Sequence, residues 1–144
     1  MPLPRDVFVV GAARTAIGTF GGALKEVPLA DLATLAVKTA LARSGAAAAS
    51  VGHLAMGTVI PTEPRDAYLS RVAAINAGCP KETPAFNVNR LCGSGLQAIV
   101  SASQAILLGD CEVAVGAGAE SMSRGAYLLP QARWGARMGD SPML

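Results

Sequence analysis

The sequence predicts an α/β fold: a layered domain with a mostly parallel sheet and one buried central helix. Three observations predict it. Strand-like and helix-like segments alternate from Asp6 to Gly118, the pattern of parallel strands joined by helical crossovers, which should be right-handed. The apolar residues, 51% of the 144, are mostly Ala and Val beside 16 glycines, which suits layers whose backbones approach closely. No charge lies between Arg90 and Asp110, and a helix there would be apolar around most of its circumference, so it should be packed on nearly all sides, with a second layer beyond the one this chain can build.

Taken in order, residues 6–10 carry the run Val7-Phe8-Val9-Val10 and read as a short buried strand. Residues 11–22, rich in Gly, Thr and Ala, read as a loop. Residues 29–44 read as a helix: Leu29, Leu32, Ala36, Ala40 and Arg43 share helical spacing, Leu35 and Val37 widen the face, and Gly45 is the stop. Residues 46–50 are a small-residue connection. Residues 53–60 read as a second strand, ended by Pro61. Asp66 is placed to cap a helix over 67–77, closed by Gly78. Pro80 and Pro84 bracket a loop, and residues 85–90 read as a third strand. Residues 92–108 read as a long helix ended by Gly109, residues 112–118 as a fourth strand, and residues 120–144 as irregular.

Composition narrows the function classes. The net charge of +2 is scattered, with no stripe of Lys or Arg for nucleic acid. The basic cluster Arg124, Arg133 and Arg137 reads as a solvated loop, with a subunit contact or an anion-facing loop as the functional alternative. No apolar stretch reaches the roughly 20 residues of a membrane span, and the N-terminus lacks the features of a signal peptide. Cys79, Cys92 and Cys111 are odd in number and irregular in spacing, which suggests neither a disulfide framework nor a zinc site. A cytoplasmic protein with reduced thiols and no metal is expected.

Cys92 is the candidate nucleophile. It falls where a parallel strand ends and a helix begins, the sheet edge where open α/β folds bind ligands. The positive end of a helix dipole favours a thiolate, and the free N–H groups of the first turn, that of Cys92 included, can donate to an oxyanion. Gly93 and Gly95 leave room for an acyl group. That combination suits acyl transfer through a thioester; the competing reading is an inert, buried cysteine. Cys79, after a helix-ending glycine, reads as an unremarkable loop thiol, and Cys111 as packing at the opposite sheet edge. His53 enters the second strand at the amino edge, roughly 17–20 Å from Cys92 by strand length, so it is no base for it. Residues 116–121 resemble a loose glycine-rich loop without the context of a nucleotide site, and Glu120 there reads as a hydrogen-bonding residue, with an acid role as the alternative.

The segment Asn89-Arg90-Leu91-Cys92-Gly93-Ser94-Gly95-Leu96-Gln97-Ala98 resembles the nucleophile motif of thiolases. Residues 10–22 are similar to their first strand and loop, Gly116 through Glu120-Ser121-Met122-Ser123-Arg124 to another of their segments, and Arg137-Met138-Gly139-Asp140 to the start of their loop domain. The likeness is strongest to bacterial biosynthetic β-ketothiolases, the acetyl-CoA acetyltransferases of polyhydroxyalkanoate synthesis. It implies that Cys92 takes an acyl group from acyl-CoA and passes it to a second acetyl-CoA, or cleaves 3-ketoacyl-CoA in reverse. The substrates would be coenzyme A thioesters, with no cofactor, and the assembly a tetramer of tight dimers. Residues 86–89 would then lie near the dimer interface, and residues 122–139 at the tetramer contact. It divides the chain into an N-terminal α/β domain, 1–121, and the start of a loop and tetramerisation region, 122–144, with the C-terminal domain absent. The base of the family is a His in a Gly-His-Pro motif, its acid/base Cys lies in Cys-x-Gly-Gly and its water-holding Asn in Asn-Glu-Ala-Phe; none occurs in this sequence, and most coenzyme A contacts would lie beyond Leu144. An N-terminal segment, inactive alone, is therefore expected. The alternatives are a non-catalytic module of thiolase fold that binds acyl groups or partners, and another condensing enzyme such as a ketoacyl synthase.

Overall fold

Three strands form one parallel sheet: β1 (His53–Gly57), β2 (Ala85–Val88) and β3 (Ala114–Gly118), in the order β2-β1-β3. The computed structural model describes residues 5–144. Side chains alternate across a strand, and here the two faces differ in kind. Leu54 and Met56 of β1, with Val115 and Ala117 of β3, join the main apolar cluster. Against that face lie α1 (Leu29–Ser44) and α2 (Leu69–Asn76), which also pack on each other. The opposite face presents Ala55, Gly57, Gly116 and Gly118, and α3 (Ser94–Leu108) lies on it through Ala98, Ala102 and Ala105. The chain crosses from β1 to β2 through α2 and back past β1 to β3 through α3. Crossovers of one hand running in opposite directions put their helices on opposite faces. The result is three layers, with the large side chains Leu29, Leu54, Met56 and Leu69 fully buried in one of the two interfaces, each worth about 1.5–3 kcal/mol of apolar burial.

Small residues set the other interface. A Cβ on Gly57 would stand 2.4 Å from the carbonyl carbon of Ser94, and one on Gly116 would stand 2.6 Å from the Cα of Ile99. Both distances are too short for any real contact, so α3 sits on the sheet at a depth that only glycine allows.

Helix bounds follow the sequence closely for α1, which ends at Gly45 in the left-handed region (φ 73°), and for α3, which ends the same way at Gly109 (φ 84°). Three expectations change. Residues 6–10 form no strand. Phe8, Val9 and Val10 are exposed, because no strand pairs with their backbone and an apolar run without a partner has no ladder to join. The buried stripe of α1 is Leu29, Ala30, Ala33, Val37 and Leu41; Leu32, Ala36 and Ala40 are half-buried and Leu35 is exposed. The helix is thus turned from the expected face, with Ala30, Ala33 and Leu41 joining Leu29 and Val37 toward the core.

Asp66 does not begin α2. It lies inside a 3₁₀ turn, Pro64–Tyr68, where it forms a capping box with Glu63. Its carboxylate accepts from the Thr62 amide at 2.8 Å, the Thr62 hydroxyl at 2.6 Å and the Glu63 amide at 3.1 Å. Pro64 starts that turn, and α2 follows only at Leu69.

Finally, α3 is covered on one side only. Leu96, Ile99, Val100 and Leu108 are exposed, so this chain leaves the far side of the helix without the second layer that the sequence asks for. The window Leu91–Leu108 has a mean hydropathy of 1.4 and passes for a membrane span by length and composition. The helix proper, however, has 15 residues, which span roughly 22 Å at 1.5 Å per residue, short of a hydrocarbon core of about 30 Å. One side of it is already buried on the sheet.

Candidate active site

The loop after β1 turns toward α2 and the loop after β2 toward α3, on opposite faces. Such divergence opens a crevice at the carboxyl edge of a sheet. A cleft of about 960 Å³ lies there. Its floor is the ends of the strands: Gly57, Val59 and Ile60 after β1, Leu91 and Cys92 after β2, and residues 118–123 after β3. Residues 13–20 and the α1 side chains Leu32 and Ala36 form its wall.

Cys92 stands in this cleft and is exposed. The turn that carries it is built from hydrogen bonds at every neighbouring residue. Asn89 Oδ1 accepts from the Leu91 amide at 3.0 Å. The Gly93 amide donates to Arg90 O at 3.1 Å and the Ser94 amide to Leu91 O at 3.0 Å. The Ser94 hydroxyl accepts from the Arg90 amide at 2.7 Å and donates to Leu91 O at 2.6 Å. Leu91 itself adopts φ 50°, one of two non-glycine residues with positive φ among those described.

The other sequence candidates separate from it. Cys79 lies in the loop after α2, as read from sequence, but is buried within the main apolar cluster, and burial pushes its pKa up. Cys111 lies against Gly52; burial first, then the charges of Asp110 and Glu112, push its thiol up as well. Both causes favour the neutral, poorly nucleophilic thiol. His53 starts β1, opposite Ala114 at the amino end of the sheet, and its ring lies against Phe86 with centroids 5.5 Å apart. Cys92 and His53 are not brought together.

Glu120 does line the cleft, but its carboxylate accepts from the Val59 amide at 2.8 Å and the Ile60 amide at 3.1 Å. It ties the end of β3 to the loop after β1, the hydrogen-bonding role read from sequence. Of the arginine cluster, Arg124 turns inward, donating to Glu26 O at 3.3 Å and pairing with Glu63 at 3.8 Å, while Arg133 and Arg137 remain exposed. Among the described residues, no three His, Cys, Asp or Glu side chains gather as metal ligands.

Sequence reasoning missed the part of Ser94 in the turn, and the place of Leu32 and Ala36 on the cleft wall. A serine in the first turn of a helix that lacks a polar residue just before it was the available signal.

Residues 7–144 match the family model described as thiolase, N-terminal domain. The chain is 62% identical over 142 residues to the beta-ketothiolase BktB of Cupriavidus necator, covering 99% of this chain and 36% of that protein. It is 42% identical over 140 residues to the human mitochondrial 3-ketoacyl-CoA thiolase, covering 97% and 35%. The crystal structure of that human enzyme in complex with CoA superposes with a TM-score of 0.93 at 41% identity, over 97% of this chain and 36% of the other. The Bacillus anthracis acetyl-CoA acetyltransferase does so with a TM-score of 0.88 at 39% identity, over 94% and 34%. The chain therefore spans about a third of the length of the relatives it matches.

Proposed function

The chain belongs to the thiolase family through its N-terminal domain, and from that premise we propose that it is the nucleophile-bearing third of an acyl-CoA acyltransferase. The observation that carries this reading is the setting of Cys92: of three thiols it alone is exposed, at the carboxyl edge of the sheet beside the start of α3, in the large cleft. In the condensing direction the Cys92 thiolate attacks the carbonyl carbon of acetyl-CoA. The bond to the coenzyme A sulfur breaks, and coenzyme A leaves as its thiol with one proton. A proton is then removed from the α-carbon of a second acetyl-CoA, and the resulting carbanion attacks the acyl-cysteine. A carbon–carbon bond forms and the thiolate returns. Thiolysis of a 3-ketoacyl-CoA is the same sequence reversed.

Each step with developing negative charge on oxygen needs a donor. The Leu91, Gly93 and Ser94 amides already have acceptors within the turn, which leaves the Cys92 amide as the donor the turn offers. The proton-moving groups belong to the remainder of the polypeptide, since His53 stands at the wrong end of β1. The exposed side of α3 supports the need for that remainder. Exposed Tyr127, Trp134 and Met138 in the last segment support an assembly contact of a tetramer, and reduced thiols fit the cytoplasm.

Brief treatment of the full-length polypeptide with acetyl-CoA, followed by peptide mapping, tests the assignment. An acetyl group on Cys92 is expected; one on Cys79 or Cys111 instead overturns it.

A further inference from the structure

We propose that Ser94 is a positioning residue for Cys92, holding the bend at Leu91 that aims the thiol into the cleft. The proposal rests on the reading of Cys92 as nucleophile. Leu91 occupies the left-handed region at φ 50°, which a residue with a Cβ adopts only when its surroundings enforce it. The enforcement is local. The Ser94 hydroxyl spans the bend: it accepts from the Arg90 amide at 2.7 Å before it, and donates to Leu91 O at 2.6 Å within it. Gly93, which precedes α3, has no side chain to cap the helix, so this bridging falls to a residue inside the first turn.

Ser94 is also the fixed end of the arrangement. It is only 4% exposed, so solvent has little access to replace its hydroxyl. Its carbonyl carbon lies where a Cβ on Gly57 would stand 2.4 Å away, so the sheet fixes its backbone. Cys92 lies between that anchored residue and the bend at Leu91, three residues before it. Without the hydroxyl, Leu91 relaxes toward an ordinary φ and the thiol and amide of Cys92 move together, away from the place the cleft provides.

The test uses the full-length polypeptide with three changes: Ser94→Ala, Leu91→Gly, and both together. The readouts are the single-turnover rate of Cys92 acylation by acetyl-CoA, followed by mass, and steady-state kcat and KM. Ser94→Ala is expected to slow acylation and lower kcat by about 10- to 100-fold, the order that an ångström of misplacement costs, with KM within about twofold. Adding Leu91→Gly should recover much of that loss, because glycine reaches the left-handed region without enforcement. A cavity or packing defect at Ser94 would not be recovered that way.

The proposal is overturned if Ser94→Ala acylates at the unaltered rate, or if its loss persists undiminished in the double variant. Should Ser94→Ala alone fail to fold, the double variant is compared with Leu91→Gly: the proposal requires removal of the hydroxyl in that background to cost under about threefold. If the unaltered protein takes no acyl group on Cys92, the nucleophile reading fails and takes this proposal with it. If Cys92 acylates normally in both forms, only the positioning role fails.

Discussion

At the scale of single residues, the three cysteines share one chemistry and differ in surroundings. Cys92 is open to the cleft, whereas burial raises the pKa of Cys79, and burial with two flanking carboxylates raises that of Cys111. Iodoacetamide at neutral pH should therefore modify Cys92 first, read by peptide mapping; Cys79 modified ahead of it would contradict the burial. Replacing Cys92 by Ala in the full-length polypeptide should lower acyl transfer by about 10³-fold or more, the order of loss when a covalent nucleophile is removed. The raised thiols also imply a pH dependence. Their folded-state pKa lies above the unfolded value, so their contribution is fully present below the ordinary thiol range, about 8.5, and is lost as pH rises through the folded value. Urea midpoints of the full-length protein should fall on the alkaline side, and Cys79→Ala should flatten that limb; an unchanged slope would show that Cys79 does not contribute.

At the scale of elements, the decisive contact is glycine against helix. Gly57→Ala places a methyl 2.4 Å from the Ser94 carbonyl carbon, and the neighbouring atoms are backbone that cannot swing aside. An overpacked core of this kind costs about 1–3 kcal/mol. The shift must also lift the start of α3, so Cys92 acylation should slow along with the loss of stability. Denaturation and single-turnover kinetics on one sample check both, and an alanine tolerated in stability and rate would refute the close-packed interface.

The elements differ in how far the sequence revealed them. The ends of α1 and α3 were legible because Gly45 and Gly109 mark a left-handed stop that local chemistry decides. The parallel sense of the sheet and the edge where Cys92 stands followed from alternation of elements, whereas the order β2-β1-β3 appears only in the structure. Residues 6–10 were misjudged because a strand is a relation between two segments, and Val7-Phe8-Val9-Val10 names only one of them. The turn at Leu91 was hidden for a different reason: a leucine gives no local sign of positive φ, and its enforcement by Ser94 appears only in three dimensions.

At the scale of the whole molecule, the chain has two packed interfaces, one on each face of the sheet, and one open face on the far side of α3. Leu96 and Leu108 of α3 are 68% and 79% exposed, on a helix of 15 residues without a charge. A surface of this kind marks an interaction face. Two situations then predict opposite outcomes for one substitution. If the remaining two thirds of a thiolase polypeptide cover α3, Leu96→Ala in the full-length protein removes a buried side chain and should cost about 2–5 kcal/mol. In the isolated 144-residue chain the same change touches a solvated side chain and should stay within about 0.5 kcal/mol, while reducing binding of a hydrophobic dye. Denaturant titrations of both lengths decide the matter. Equal, small effects in both would mean that α3 faces water in the complete protein as well, and the view of this chain as one part of a layered whole would then fail.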